Sequence, residues 1–291
     1  MPRSHAGDGI YLLANDRFLE WARALLSSLA LHEPGLPVTV IPYDDSAARV
    51  IDLARAAGHN LFEGAELLTR LDQLAQDTFA PAPGWVGAYR KLAAFSGPYE
   101  RFLVLDADSV LTAPVRPVLE ALGADCQVYP AQHSSPLQVW SAGGEQPVFN
   151  SGIWAAQGGL LDEGDVASLA SEAAAVRDRF ASRGDQSFFN FCLVQRGLRA
   201  RAWSEDASGP LVQWAGDLAG SGARGLPLRT SMVHWAGYRL TPMMPCRRLW
   251  LEQRLRRAPV AERAGYLARE PGRLVAEAAR RLGAATGVRE Y

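Results

Sequence analysis

The apolar positions of the chain fall into short runs that alternate with longer stretches of helical spacing. Residues 10–14 (IYLLA) predict a first strand, and Phe18, Ala22, Leu25, Leu26 and Leu29 recur at the spacing of a helix over residues 18–31. Residues 37–42 (PVTVIP) predict a second strand, followed by a helix over 47–57, an irregular segment and a short helix over 88–95. The run FLVL (102–105) is apolar without alternation, as expected of a strand covered on both faces. Residues 117–122 then predict a short helix with Pro117 in its first turn, and 149–155 a strand. An alanine-rich helix over 165–180, a helix over 186–195 capped by Asp185, and a last strand over 231–235 complete the pattern. Strands alternating with helices in this way predict an α/β fold with a mainly parallel central sheet flanked by helices.

The character changes near the carboxyl end. Residues 246–291 carry 11 Arg against 5 Glu and predict two helices broken by Pro259 and by Pro271-Gly272. The expected organisation is a domain over 1–244 with a basic helical extension over 245–291. Within that extension, PCRRLWLEQRLRR (245–257) joins Trp250, Leu251 and Leu255 to five arginines. Such a helix either docks on anionic lipid or packs its apolar side on the domain.

Composition narrows the class. The chain has 291 residues, 48% hydrophobic and 21% charged, as in a soluble globular protein, and its formal net charge of −1 argues against a general nucleic-acid binder. The opening MPRSHAGDGI lacks the apolar core of a signal peptide, and no run approaches the roughly 20 apolar residues of a membrane span. The expected location is the cytoplasm, with the basic tail a candidate contact at the inner membrane face. Cys126, Cys192 and Cys246 are too scattered for metal-ligand spacing, and their odd number argues against a disulfide framework. Of the 30 basic residues a single one, Lys91, is lysine. Lysine offers a compact point charge that the planar fork of arginine does not reproduce.

The apolar run at 102–105 ends on two carboxylates, Asp106 and Asp108. With 16 Asp in the chain, about one D-x-D arises by chance, so the triplet alone says little. Its position says more, because open α/β sheets bind ligands at the carboxyl ends of their strands. Two carboxylates there are costly unless something positive lies between them, and a divalent cation is the simplest candidate. The bland reading is a turn that ends the strand. FLVLDADSV also resembles the first motif of haloacid-dehalogenase-type phosphatases, with Asp106 as nucleophile. That chemistry wants a downstream lysine, and none follows Lys91.

A more specific resemblance rests on seven motifs in order. They are AND (14–16) after the first strand, LLSSL (25–29), RKL (90–92), DADS (106–109), FNSG (149–152), GDQSFFN (184–190) and VHWAG (233–237). Together they resemble GT-A-fold glycosyltransferases of family 8, the family of glycogenin and of bacterial lipopolysaccharide galactosyl- and glucosyltransferases.

The resemblance implies a transferase that moves a sugar from a nucleotide-sugar donor, by family habit a UDP-sugar, to an acceptor hydroxyl that the sequence does not identify. Asp106, Asp108 and His234 would ligate Mn²⁺ or Mg²⁺. Ala14, Asn15 and Asp16 would face the base and ribose, with helix capping as the alternative role of Asn15 and Asp16. Lys91 would reach the diphosphate or donor sugar, Ala107 would lie beside it, and Asn150, Ser151 and Gly152 would line the donor and acceptor cleft. Asp185 and Gln186 fall on the pair that contacts the donor sugar near its anomeric carbon. Gly237 belongs to the same set. The family usually places a lysine where this chain has Leu240, and Arg239 is the candidate replacement. The implied transfer is retaining, with the proton of the acceptor hydroxyl passing to a departing phosphate oxygen. A non-catalytic sugar-nucleotide binder is the reading from another class.

Overall fold

The computed structural model describes residues 7–132, 149–180, 182–205, 211–215, 230–236, 246–256, 259 and 261–264. Strand β1 (Asp8–Ala14) runs parallel to β2 (Val38–Pro42) on one side and β4 (Arg101–Asp106) on the other, and β3 (Asn60–Leu61) extends the parallel set beyond β2. Two antiparallel strands, β7 (Ile153–Gln157) and β6 (Val128–Pro130), complete the order β3-β2-β1-β4-β7-β6.

Both faces of this sheet are covered, which explains the unbroken apolar runs. In β1, Ile10, Leu12 and Ala14 enter one hydrophobic cluster while Tyr11 and Leu13 enter the other. In β4, Leu103 and Leu105 share the first cluster, and Phe102 and Val104 the second. Alternate side chains point to opposite faces of a strand, so a sheet buried on both sides needs apolar residues at every position.

The first cluster is covered by α1 (Leu19–His32), α2 (Ala48–Ala56) and α7 (Arg247–Arg256). The second lies under α3 (Ala65–Phe79), a long 3-10 segment (Pro83–Ser96), α5 (Glu163–Ala175) and α6 (Asp185–Gln195). The short α4 (Arg116–Glu120) has its first turn satisfied by Glu33, whose Oε1 accepts from the backbone N–H of Val115 and Arg116. A second sheet of three strands, β5-β9-β8, joins β5 (Ser109–Leu111), β9 (Thr230–His234) and β8 (Leu211–Trp214).

Several elements depart from the pattern reading. The segment read as irregular contains the 15-residue α3, whose Leu67, Leu68, Leu71, Leu74, Ala75 and Phe79 carry a plain helical period. The short helix at 88–95 belongs to a run of 3-10 turns. Strand β7 starts at Ile153, which frees 149–152 to wrap the end of the sheet. Helix α5 starts at Glu163 because Asp162 and Asp165 form a capping box, and it stops at Ala175.

Helix α7 packs along α1. Trp250 meets Trp21 edge to face at 5.8 Å, Arg254 pairs with Glu20 and Glu262, and Leu255 is buried. The apolar side of this helix is therefore committed to the domain rather than open to lipid. Among the described residues no helix is long and apolar enough to cross a membrane.

Candidate active site

Strand β4 delivers Asp106 to its carboxyl end, and a tight turn through Ala107 and Asp108 carries the chain into β5 of the second sheet. Backbone groups of the turn are engaged by neighbours. Ser109 Oγ donates to the Asp106 carbonyl at 2.8 Å, Trp235 N–H donates to the Asp108 carbonyl at 2.8 Å, and Asp106 N–H donates to the Gly152 carbonyl at 2.9 Å. The strand-ending turn and the carboxylate pair are thus one feature. Because β5 pairs antiparallel with β9, His234 lies opposite Ser109 and comes beside Asp108. Trp21 of α1 packs on Trp235 at 5.5 Å and pins the end of β9.

Asp106, Asp108 and His234 each offer one ligand atom, and these atoms all lie within 4.8 Å of one another. Two hard carboxylates and one imidazole suit Mn²⁺ or Mg²⁺. The wall behind them fits such an ion too. A Cβ on Gly152 would stand 2.8 Å from Asp106 Oδ2 and 2.9 Å from His234 Cε1, so only glycine leaves the cluster its room. His234 Nε2 lies 3.1 Å from Asp108 Oδ1.

The electrostatics separate the two aspartates. Asp106 is pushed up to about 6, first by burial, with Lys91 opposing and the charge of Asp108 adding to the rise. Burial acts on Asp108 in the same sense, yet the charge and hydrogen bond of His234 outweigh it and hold this carboxyl below the usual range.

Lys91 is 4% exposed and its ammonium is fully engaged. Nζ lies 3.2 Å from Asp106 Oδ1 and 2.9 Å from Asp185 Oδ2, and it donates to the Ser151 carbonyl at 3.1 Å. Burial works against the ammonium, but the two carboxylates hold it above the ordinary lysine range. Asp185 does not cap α6: the residue before the helix is Gly184, and no side chain caps it. Its carboxylate turns inward instead, to Lys91 and to the Ser151 hydroxyl at 2.7 Å.

The 149–152 loop is bound to α6 by amides. Asn150 Nδ2 and Ser151 N–H both donate to Gln186 Oε1, at 3.0 and 3.3 Å. One turn further along α6, Asn190 accepts from the Phe149 N–H and donates to the carbonyls of Phe149 and Gln186, each at 2.8 Å. Asn190 has no role in the sequence reading, although its spacing of four from Gln186 puts both on one helix face.

Ala14 and Asn15 close the neighbouring end of β1, where Leu13 stands in register with Asp106. Asn15 caps the 3-10 turn Asp16–Phe18 through the Arg17 N–H at 3.1 Å, and its Nδ2 donates to Asp44 at 2.6 Å. Asp16 accepts from the Val50 N–H at 3.0 Å, in the first turn of α2, and so serves that helix rather than α1. Tyr43 follows at the end of β2; burial and the Asp185 charge raise its phenol to about 12. The structure brings Ala14, Asn15, Asp16, Lys91, Asp106, Ala107, Asp108, Asn150, Ser151, Gly152, Asp185, Gln186 and His234 to one end of the two sheets. Gly237 and Arg239 lie outside the described residues.

No protein-family model and no curated protein matches this chain by sequence. Solved structures do match. The galactosyltransferase LgtC in complex with donor and acceptor sugar analogues aligns with a TM-score of 0.61 at 15% identity, over 87% of this chain and 97% of that one. The apo form of mouse xyloside xylosyltransferase 1 gives 0.52 at 14% identity, over 79% and 98%. The apo bifunctional glycosyltransferase WbbM gives 0.57 at 12%, over 86% of this chain and 50% of that one. At such identities the likeness is one of fold: this chain has the GT-A architecture, with the mainly parallel sheet flanked by helices that its sequence pattern predicts.

Proposed function

We propose that the protein is a metal-dependent, retaining glycosyltransferase that moves a sugar from a nucleotide-sugar donor, a UDP-sugar in the first instance, to a hydroxyl acceptor. The observation that carries this is the convergence of Asp106, Asp108 and His234 within 4.8 Å at the carboxyl end of β4, in a GT-A fold. The match to a galactosyltransferase solved with donor and acceptor sugar analogues supports the same substrate classes here.

In this mechanism Asp106, Asp108 and His234 would hold Mn²⁺ or Mg²⁺. A cation bound there supplies the positive charge that stabilises the diphosphate leaving group. Lys91 fixes Asp106 as a ligand and balances Asp185, so that two carboxylates can share a buried wall. Asn150 and Gln186 hold each other and present amide groups to the donor sugar. Asn15 and Asp16 sit at the end of β1 on the base and ribose side. Asp185 is a poor nucleophile, because its charge is drawn on by Lys91 and Ser151. The mechanism that the family resemblance implies needs no covalent enzyme intermediate: the acceptor oxygen would bond to the anomeric carbon as the bond to the diphosphate breaks, on the same face, and a departing phosphate oxygen would take the acceptor proton. Asp106 as a phosphatase nucleophile gains no support from the fold.

A thermal-shift screen of UDP-, GDP- and dTDP-sugars with and without Mn²⁺ tests the donor class, since a ligand that binds only the folded state raises its stability by mass action. Stabilisation by one nucleotide series, abolished by EDTA and by Asp108→Asn, is the expected result. Full turnover in EDTA would sink the metal assignment. Contact of the basic tail with anionic lipid would run through its arginines, because Trp250 and Leu255 are buried. Liposome flotation with and without residues 246–291 tests it.

A further inference from the structure

Strand β8 ends on Trp214, whose ring lies on the imidazole of His234. The ring centroids are 4.5 Å apart and the planes are 28° from parallel. Strand register creates this contact. On one side of β9, Trp214 of the parallel strand β8 stands opposite His234; on the other side, Ser109 of the antiparallel strand β5 does. Residues opposite each other on neighbouring strands project to the same face of the sheet, so the indole and imidazole meet directly.

The contact serves the imidazole more than the core. Trp214 is only partly buried and belongs to neither hydrophobic cluster, although Val212, Ala215 and Trp235 around it belong to the first. A histidine on a strand has a broad torsion about its ring bond, and rotation there would swing Nε2 away from the carboxylates. A ring stacked nearly flat on one imidazole face opposes that rotation. It leaves the ring edge facing Asp108, with Nε2 at 3.1 Å from Oδ1.

We propose, on the reading of Asp106, Asp108 and His234 as cation ligands, that Trp214 is a positioning residue: by stacking on His234 it fixes the ring orientation that turns Nε2 toward the two aspartates, and so sets cation affinity without touching the cation. The stack also places an indole beside the cation site, where paramagnetic Mn²⁺ quenches its emission and diamagnetic Mg²⁺ does not.

The experiment titrates the full chain with Mn²⁺ and with Mg²⁺, by calorimetry and by tryptophan emission, in wild type, Trp214→Phe and Trp214→Leu. Phenylalanine keeps a ring to stack; leucine keeps bulk alone. Trp214→Leu should weaken Mn²⁺ binding about 10-fold, the lower end for groups that orient a metal ligand, while Trp214→Phe stays close to wild type. Mn²⁺ should quench wild-type emission more than Mg²⁺ does, and Trp214→Phe should lose most of that excess while still binding the ion. Near-ultraviolet circular dichroism establishes that each variant is folded. Should leucine prevent folding, Trp214→Ala takes its place, and Mn²⁺ affinity equal to wild type in that variant overturns the proposal. Equal Mn²⁺ affinity in Trp214→Leu and wild type overturns it while leaving the metal reading intact. A wild type that takes up no Mn²⁺ overturns both.

Discussion

Replacing Lys91 with methionine keeps much of the side-chain volume and removes the one positive charge between Asp106 and Asp185. The ammonium lies 3.2 Å from Asp106 Oδ1 and 2.9 Å from Asp185 Oδ2 in a site where the lysine is 4% exposed. At an effective dielectric of about 20, each such contact amounts to ~5 kcal/mol of attraction. Desolvation of the three groups offsets most of it. Breaking a buried pair by removing one partner still leaves a net loss of about 3–5 kcal/mol, because the other charge stays buried.

The size of the loss depends on pH, with a sign set by Asp106. Its carboxyl is pushed up to about 6 even with the lysine present, above its value in an unfolded chain. Its stabilising contribution is therefore complete at low pH and is lost as pH rises through about 6. Without Lys91 the folded value climbs further, and protonation of Asp106 relieves the repulsion below it. The deficit of Lys91→Met should be largest near about pH 8 and shrink toward about pH 5. Urea unfolding in EDTA at the two pH values, followed by circular dichroism, measures both quantities. A loss under about 1 kcal/mol at the higher pH, or equal losses at the two, would refute the reasoning. Asp185→Asn added to Lys91→Met should return part of the loss by deleting one unpaired charge.

Gly152→Ala should weaken Mn²⁺ binding by at least ~10-fold with the fold retained, since the new Cβ meets Asp106 Oδ2 and His234 Cε1 within 3 Å; calorimetry that finds unchanged affinity contradicts the cradle. Mn²⁺ affinity should fall as pH drops through about 6, because Asp106 then carries a proton that the ion must displace; an affinity flat from about pH 7.5 to about pH 5 argues against Asp106 as a ligand. Asn190→Ala removes three hydrogen bonds, those with the N–H and the carbonyl of Phe149 and with the Gln186 carbonyl, and should cost about 2–4 kcal/mol in urea unfolding. A cost below 1 kcal/mol would show that the 149–152 loop is held mainly by Gln186.

Local signals made much of the fold legible. The runs 10–14, 37–42 and 102–105 read as strands because a sheet covered on both faces demands apolar residues at consecutive positions, and such runs stand out. The leucines of α3 carry a helical period as plain as that of α1, in a segment the strand–helix alternation alone leaves irregular. Strands β5, β6 and β8 were not legible, since three or four residues carry too little pattern to separate from a turn. Of the site, Asp106 and Asp108 could be placed at a strand end from their own neighbourhood. His234 required a family resemblance, because nothing near it in the chain states that β9 will pair with β5.

The sequence by itself determined which residues could do chemistry here: a D-x-D at the end of a buried strand, a lone lysine, and an Asp-Gln pair at the start of a helix. Tertiary structure decided how their charges are used. Lys91 and Asp185 are 94 residues apart in the chain and form a buried ion pair, which turns Asp185 from a helix cap into a wall of the site. Trp214 and Asn190 acquire their roles only from strand register and from the docking of α6 on the 149–152 loop. Burial and pairing across such sequence distances follow from packing two sheets and their helices together, and the energy of a charge depends on what packing puts beside it.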